Sequence, residues 1–273
     1  MIRATPSAFP ATDGLIMLKS IVLSAFGAGL LVGVVMTGVQ WATTEPLILR
    51  GETYEQAAEA APAAPVMSSP APATTVPTHD DHGGHADGHD TAASAEGHHH
   101  EAGAWQPANG FERSAYTFLA NLLMGVAVSA MLLGVMTLKG DAIDARRGVL
   151  WGVAGFFAVS LMPALGLAPE LPGTAAAEIT SRQLWWLGTA AASAVALGLV
   201  VFAGSYLMKL IGIMIAIVPH VIGAPPPPTL EAAYPAALGA EFVVASLVAS
   251  AILWSLAGLA SGWMHQRLAR PAG

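Results

Sequence analysis

Long apolar runs separated by polar loops dominate the chain and predict helices that cross a membrane. A span needs about 20 mostly apolar residues at a rise of ~1.5 Å each. The runs long enough for one span are 18–41, 118–138, 149–167 and 238–262. A further apolar stretch at 184–222 is too long for one ordinary helix. We interpret it as two spans, 184–203 and 207–222, hinged at Gly204 and Ser205, the alternative being one tilted helix with an interfacial tail.

The basic residues of the loops favour six spans over five, because Lys and Arg near span ends prefer the cytoplasmic side. With six spans and a cytoplasmic N-terminus, the outer side receives only Arg50, Arg113 and Arg182. The inner side receives Arg3, Lys19, Lys139, Arg146, Arg147, Lys209, Arg267 and Arg270. Five spans would leave Lys209 in lipid. The predicted fold class is therefore all-α: a polytopic membrane protein of about six transmembrane helices, with five as the alternative.

This pattern divides the chain into five parts. Residues 1–16 are a disordered extension, 17–42 the first span, 43–115 a large outer loop, 116–264 a helical membrane bundle, and 265–273 a C-terminal tail. The first apolar run lacks a small-x-small cleavage site after it, so we interpret it as an uncleaved anchor. Met17 is an alternative start of the protein.

Composition excludes several classes of protein. The chain is 54 % hydrophobic and 11 % charged, against roughly 25 % charged in ordinary soluble domains. It contains no cysteine, so neither a disulfide framework nor a thiolate metal site can form. Its formal net charge of -7 argues against a nucleic-acid partner, which would require a clustered basic surface.

The outer loop contains the strongest chemical signal. Its acidic first part, 45–60, is predicted to be helical in part, and 61–78 is an Ala/Pro-rich spacer. The segment 79–100 then holds His79, His82, His85, His89, His98, His99 and His100, interleaved with Asp and Glu. Imidazole with carboxylate suits Co, Ni, Cu or Zn. The irregular spacing indicates a disordered chelator that attracts cations, the alternative being a merely solvated polar linker.

A second group of candidates lies where the predicted spans meet the outer surface. Its members are Glu45, Asn121, Glu170, Glu178, His220, Glu231 and Glu241. We expect Glu45, Glu170, His220 and Glu241 to line one outer mouth. The alternative is that they are solvent-exposed residues at helix ends without a function in metal binding. Pro163 should kink the third span and create a buried or cavity-facing elbow that holds Glu170. The membrane interior, away from the span ends, contains no carboxylate or histidine, and interior polar residues such as Ser160 and Ser250 are interpreted as packing residues.

No catalytic motif stands out, so we do not expect an enzyme. His100 and Glu101 begin like the zinc-protease motif H-E-x-x-H but lack the second histidine. The phosphate-binding motif G-x-x-x-x-G-K-[ST] is absent from the sequence.

Several segments resemble the predicted cobalt transporter subunit family CbtA. They are QWATTEPLI at 40–48, LWGVAGF at 150–156, PALGLAPELPG at 163–173, RQLWW at 182–186 and PHVIGAP at 219–225. The similarity covers most of 17–262, with Ala168 standing where a proline is expected. It implies cobalt uptake for cobalamin biosynthesis and a small one-span partner, CbtB. The family is usually described with five spans, in conflict with the six counted here.

The resulting interpretation is a membrane subunit of a transition-metal uptake system in the bacterial inner membrane. The His-rich loop captures the cation, and the outer mouth of Glu and His receives it. The resemblance supplies cobalt as the metal. The alternative is a non-transporting receptor or buffer that delivers the ion to a separate permease. The expected partners are lipid, a divalent cation and a CbtB-like subunit, with no tightly bound cofactor.

Overall fold

A computed structural model describes residues 11–60, 107–140 and 142–269, with side chains from Leu18 onward. Every long element in these ranges is helical, which confirms the all-α prediction. The helices are α1 (Ala11–Ala42), α2 (Thr44–Ala60), α3 (Phe111–Lys139), α4 (Ala145–Gly155), a π-helix (Phe156–Leu161), α5 (Met162–Ala164), α6 (Ile179–Phe202), α7 (Tyr206–Ile222) and α8 (Ala236–Leu268).

Five helical segments of the described residues are long and apolar enough to cross a membrane. They are α1 from Leu18, α3, the continuous run Ala145–Ala164, α6 and α8. The sixth predicted span corresponds to α7, an apolar helix of 17 residues. At 1.5 Å per residue α7 is about 26 Å long, slightly less than the ~30 Å hydrocarbon core of a bilayer.

The bundle is built around α1 and α8. Helix α1 packs against α3 and α8, α4 packs against α8, and α6 pairs with α7. Close approach depends on glycine at two crossings, because a methyl group on Gly125 would collide with the carbonyl of Gly29, and one on Gly148 with that of Gly258. Small residues at helix interfaces are typical of membrane bundles. The main core contains Ala28, Val32, Leu132, Leu133, Met136, Trp254 and Ala257.

The bundle has two chemically different ends. One end, called the basic end below, holds Lys19, Lys139, Arg146, Arg147, Lys209 and Arg267. There Ser20 Oγ lies 3.4 Å from His265 Nδ1, and the Lys139 ammonium lies 5.0 Å from the ring centroid of Phe202. The opposite end, called the cap end, contains α2 and the segments 165–178 and 223–235. Helix α7 runs between the two ends, since it begins just after Phe202 and its His220 packs on Trp185 near the start of α6.

The cap end is a folded layer with its own small core. Leu171, Leu238 and Phe242 are buried there against α2 residues Leu47 and Ile48. Backbone contacts tie the loops together: the Gly173 N–H donates to Glu55 Oε1 at 3.1 Å, and Thr174 forms an isolated antiparallel bridge with Ala232. The Thr174 hydroxyl also bonds to the Tyr234 hydroxyl.

The structure corrects several predicted boundaries. Helix α1 begins at Ala11, so residues 11–16 are helical and not a disordered extension. Helix α3 begins at Phe111 and α6 at Ile179, both earlier than predicted, and α8 continues to Leu268 into the predicted tail. The cause is physical: hydropathy marks only the lipid-facing part of a helix, whereas hydrogen bonding continues the helix beyond it. The predicted helix in 45–60 is present as α2.

The third span is irregular where Pro163 predicts an elbow. The π-helix Phe156–Leu161 directly precedes α5, and the buried Pro163 lies in the first turn of α5. Proline lacks an N–H, so one preceding carbonyl loses its helical donor. Single π-turns inside helices are frequent at functional sites.

Candidate cation mouth and membrane groove

The seven histidines at positions 79–100 lie outside the described residues. Their points of attachment are described, however. Helix α2 ends at Ala60 before the loop, and α3 begins at Phe111 after it. Arg113 donates to both carboxylate oxygens of Glu52, at 2.9 Å and 2.5 Å, and so joins α2 to the first turn of α3. The loop therefore leaves and re-enters the protein at the cap end.

Glu170 lies at the cap end in the segment that follows the Pro163 elbow. Its Oε2 accepts a hydrogen bond of 2.6 Å from Arg182 in the first turn of α6. The two side chains are 30 % and 29 % exposed, so the ion pair is reachable from solvent. An exposed pair of this kind contributes only about 0–1 kcal/mol to stability. Glu170 is thus positioned, but its charge already has a partner.

Glu178 adds a second carboxylate beside this pair. It is the N-cap of α6, and its side chain accepts hydrogen bonds from the backbone N–H groups of Ser181 and Thr180. These two bonds lower the pKa of Glu178 to about 2. With Glu170 and Arg182, it gives this part of the cap end a formal charge of -1.

His220 lies in the last turn of α7, next to Pro219. Its ring meets the ring of Trp185 edge-on at a centroid distance of 5.9 Å, while Trp185 Nε1 donates to the Pro219 carbonyl at 3.3 Å. The buried His220 Nε2 has no hydrogen-bond partner in the described part of the chain. Trp185 follows Arg182 by three residues, so Glu170 and His220 contact neighbouring positions on one face of α6.

The other two predicted mouth residues lie near α2. One carboxylate oxygen of Glu45 is buried without a hydrogen-bond partner among the described residues. Glu241 is exposed and lines a pocket of about 500 Å³ with Arg50 and Tyr54. Within 11–60, 107–140 and 142–269, no three His, Asp or Glu side chains are arranged to hold a metal ion. Glu45, Glu170, His220 and Glu241 therefore share the cap end but do not form one preassembled metal site.

Asn121, also expected at the outer interface, has a different role. It is buried, and its amide donates to Thr37 Oγ1 at 3.2 Å and to Gln40 Oε1 at 2.9 Å. These bonds join α3 to α1, so the Asn121 amide is already hydrogen-bonded within the bundle.

A groove of about 990 Å³ extends from the cap end into the bundle. Its walls come from α3, α6 and α8, and the π-helix segment lies at its base. Glu170 and Arg182 line its opening, and Ser160, Ser250 and Trp254 line its deeper part. There Ser250 Oγ donates to Ser160 Oγ at 2.7 Å, and Trp254 Nε1 donates to the same oxygen at 3.2 Å.

Sequence reasoning assigned Ser160 and Ser250 to packing and did not connect them. They lie 90 positions apart, so no local pattern joins them. A partial signal was present, because Ser160 precedes Pro163 by three residues, and proline in a span disturbs the backbone next to it. The partners Arg182 and Trp185 were also missed as contacts of Glu170 and His220.

Comparison with known proteins gives one match. The model of the family described as "Probable cobalt transporter subunit (CbtA)" matches residues 18–266. This range includes the cap end, the groove and the His-rich loop. Neither the curated proteins nor the solved structures contain a match to the chain.

Proposed function

Because the chain belongs to the CbtA family of cobalt transporter subunits, we propose that it is the membrane subunit of a cobalt uptake system in which the His-rich loop captures the cation. The observation that supports this most directly is the attachment of the loop at the cap end, between Ala60 and Phe111. A chelator tethered there raises the local cation concentration where the bundle offers carboxylates and an imidazole.

In the proposed transfer, the histidines between His79 and His100 bind the cation first and then pass it to the cap-end residues. Glu170 and His220 are the central pair, since both contact the same face of α6. A cation that binds the Glu170 carboxylate competes with Arg182, whose pairing is weak enough to exchange. Unpartnered imidazole nitrogen is a good ligand for cobalt and nickel. Glu45 and Glu241 serve as outlying acidic groups that draw the ion toward this pair.

The wider setting follows from the chemistry of the two ends. The basic end faces the cytoplasm and the cap end faces outward, in line with the preference of Lys and Arg for the inner side. The protein is a multi-pass protein of the bacterial inner membrane, surrounded by lipid. It works with a small one-span subunit of the CbtB type and supplies cobalt for cobalamin biosynthesis. Cobalt is its cargo, and no resident cofactor and no nucleic acid take part.

A second function has one observation in its favour. Among the described residues, no carboxylate or imidazole lines the deeper part of the groove, so that part of the groove offers no strong metal ligand. A receptor that binds cobalt outside and delivers it to a separate permease would need none. The groove itself favours transport, because a pure receptor has no use for a recess that deep.

Replacing the seven histidines of 79–100 with Gln tests the capture step and preserves the loop length and acids. We expect uptake to fall at scarce cobalt and to be normal at abundant cobalt, because a tethered chelator changes local concentration but not the path. Deletion of 61–78, which shortens the loop but keeps every histidine, is the control and should leave the dose curve unchanged. Equal loss at every concentration would instead make the loop part of the path and refute capture.

A further inference from the structure

The groove between α3, α6 and α8 combines three features at different depths. Its opening holds Glu170 and Arg182, its walls are mainly apolar, and its base holds the hydrogen-bonded Ser160, Ser250 and Trp254. In the described residues α6 packs on α7 and the π-helix but makes no close backbone contact with α3 or α8. That separation leaves the groove open from the cap end to the level of Trp254.

The base of the groove presents oxygen atoms that can face a cation. Ser160 Oγ accepts bonds from Ser250 and Trp254, which occupy both of its lone pairs and hold Ser250 Oγ in place. Ser250 Oγ donates in this contact, so its own lone pairs can accept a bond from a water molecule. Ser160 belongs to the π-helix, and Pro163 in the next turn donates no N–H. At least one carbonyl near Ser160 is therefore without its helical donor. Irregular backbone at membrane depth is tolerated where it lines a water-filled cavity.

We propose that the groove is a water-filled vestibule and that the Ser250 hydroxyl, held in place by Ser160, and the adjoining π-helix carbonyls form an oxygen-lined station for the hydrated divalent cation partway through the membrane. This inference rests on the proposed uptake function and adds the part of the path that follows the cap end. Hydroxyl and carbonyl oxygens bind the water shell of the ion, not the bare ion. Weak binding of this kind allows the cation to move on.

The size of the groove agrees with this cargo. Six waters of about 30 Å³ each need roughly 180 Å³, well within the ~990 Å³ of the groove. The opening carries the Glu170 carboxylate, which is paired with Arg182 and becomes available to a cation when that exposed pair opens. An acyl chain is the competing occupant of a groove with apolar walls. It would leave the freed carbonyl facing hydrocarbon without a hydrogen-bond donor, which costs free energy.

The reactivity of introduced cysteines with a water-soluble reagent shows whether the groove contains water or lipid. The chain has no native cysteine that would react as well. We would place single cysteines by Ser250→Cys and Ser246→Cys, both in the groove. The control is Val248→Cys, which lies at the same depth on α8, is 52 % exposed and does not line the groove. The full chain in native membranes is treated from the cap side with a charged, membrane-impermeant thiosulfonate. We expect both groove cysteines to react and the control to stay unmodified.

The two groove positions are independent, so failure of one variant to fold does not end the test. If neither groove cysteine in folded protein reacts faster than the Val248→Cys control, the groove is filled with lipid and the vestibule is refuted. This result does not depend on transport, so it decides the groove even where the uptake function fails.

Uptake by serine variants tests the station itself. We expect Ser250→Ala to lower the maximal cobalt uptake rate about tenfold, the usual effect of losing a hydrogen bond to a charged species. Ser160→Ala should also lower that rate, because Ser250 then loses the acceptor that holds it in place. Ser193→Ala is the control, because Ser193 is buried on α6 outside the groove. The station is refuted if the wild type is active and both groove variants, present at normal protein levels, take up cobalt normally. Inactive wild type would instead refute the uptake function.

Discussion

Ser20 Oγ lies 3.4 Å from His265 Nδ1, and this contact joins α1 and α8 at the basic end. The N-terminal end of α1 and the C-terminal end of α8 therefore lie on the same side of the bundle. An even number of crossings must lie between them. Five of the described helical segments are long and apolar enough to span, and the shorter α7 is the sixth expected crossing. The expected crossings are α1, α3, the run 145–164, α6, α7 and α8.

The first prediction concerns this topology. A reporter that is active only in the cytoplasm, fused to the C-terminus, should be active because the end of α8 lies beside the start of α1. A second fusion after Ala60, at the end of α2, is the matched control and should be inactive. Activity of the Ala60 fusion together with silence of the C-terminal one would reverse the orientation. Equal results on the two fusions would require an odd number of crossings.

The second prediction concerns helix packing. Gly258→Ala should destabilise the bundle by more than about 1 kcal/mol, because the added methyl group would collide with the backbone carbonyl of Gly148. Gly134→Ala is the control: nothing lies within 4 Å of its added methyl, and alanine is the better helix former by ~1 kcal/mol. Thermal unfolding in detergent should therefore separate the two variants in opposite directions. Equal shifts would show that α4 and α8 are not in close contact.

Hydropathy was sufficient to predict the long helices and their order, and five short sequence segments were sufficient for the family resemblance. They were insufficient for the site, because its contacts join distant segments. The ion pair of Glu170 with Arg182 depends on the turn between α5 and α6, and the contact of His220 with Trp185 depends on how α7 folds back along α6. The hydrogen bond from Ser250 to Ser160 depends on the packing of α8 against the π-helix. None of these leaves a periodic pattern in the sequence.

The third prediction separates a ligand role of Glu170 from a structural one. If Glu170 binds the cation, Glu170→Gln should lower uptake severalfold, whereas Arg182→Gln should spare or raise it because the carboxylate is released. Both variants break the same exposed pair, so their stability losses should be similar and at most about 1 kcal/mol. Cobalt uptake corrected for protein level gives the answer. Parallel losses in both variants would mean that only the ion pair matters.

The fourth prediction concerns His220, whose ring packs on Trp185 and whose Nε2 lacks a partner in the described residues. His220→Phe keeps an aromatic ring against Trp185 but removes both nitrogens, while His220→Ala removes the ring as well. If the imidazole is a metal ligand, both variants should lose uptake to a similar extent at normal protein levels. Retained uptake in His220→Phe would assign His220 to packing alone.

The central claim is that this chain is an integral part of the cobalt path and does more than collect the ion. The most direct measurement is cobalt uptake by right-side-out membrane vesicles from cells with the complete system, compared with cells lacking only this chain. The comparison is made from scarce to abundant cobalt, and surface-bound metal is removed with a chelator. The account predicts that uptake without the chain is lost at every concentration. Uptake that recovers at abundant cobalt without the chain would contradict it and identify a receptor that serves a separate permease.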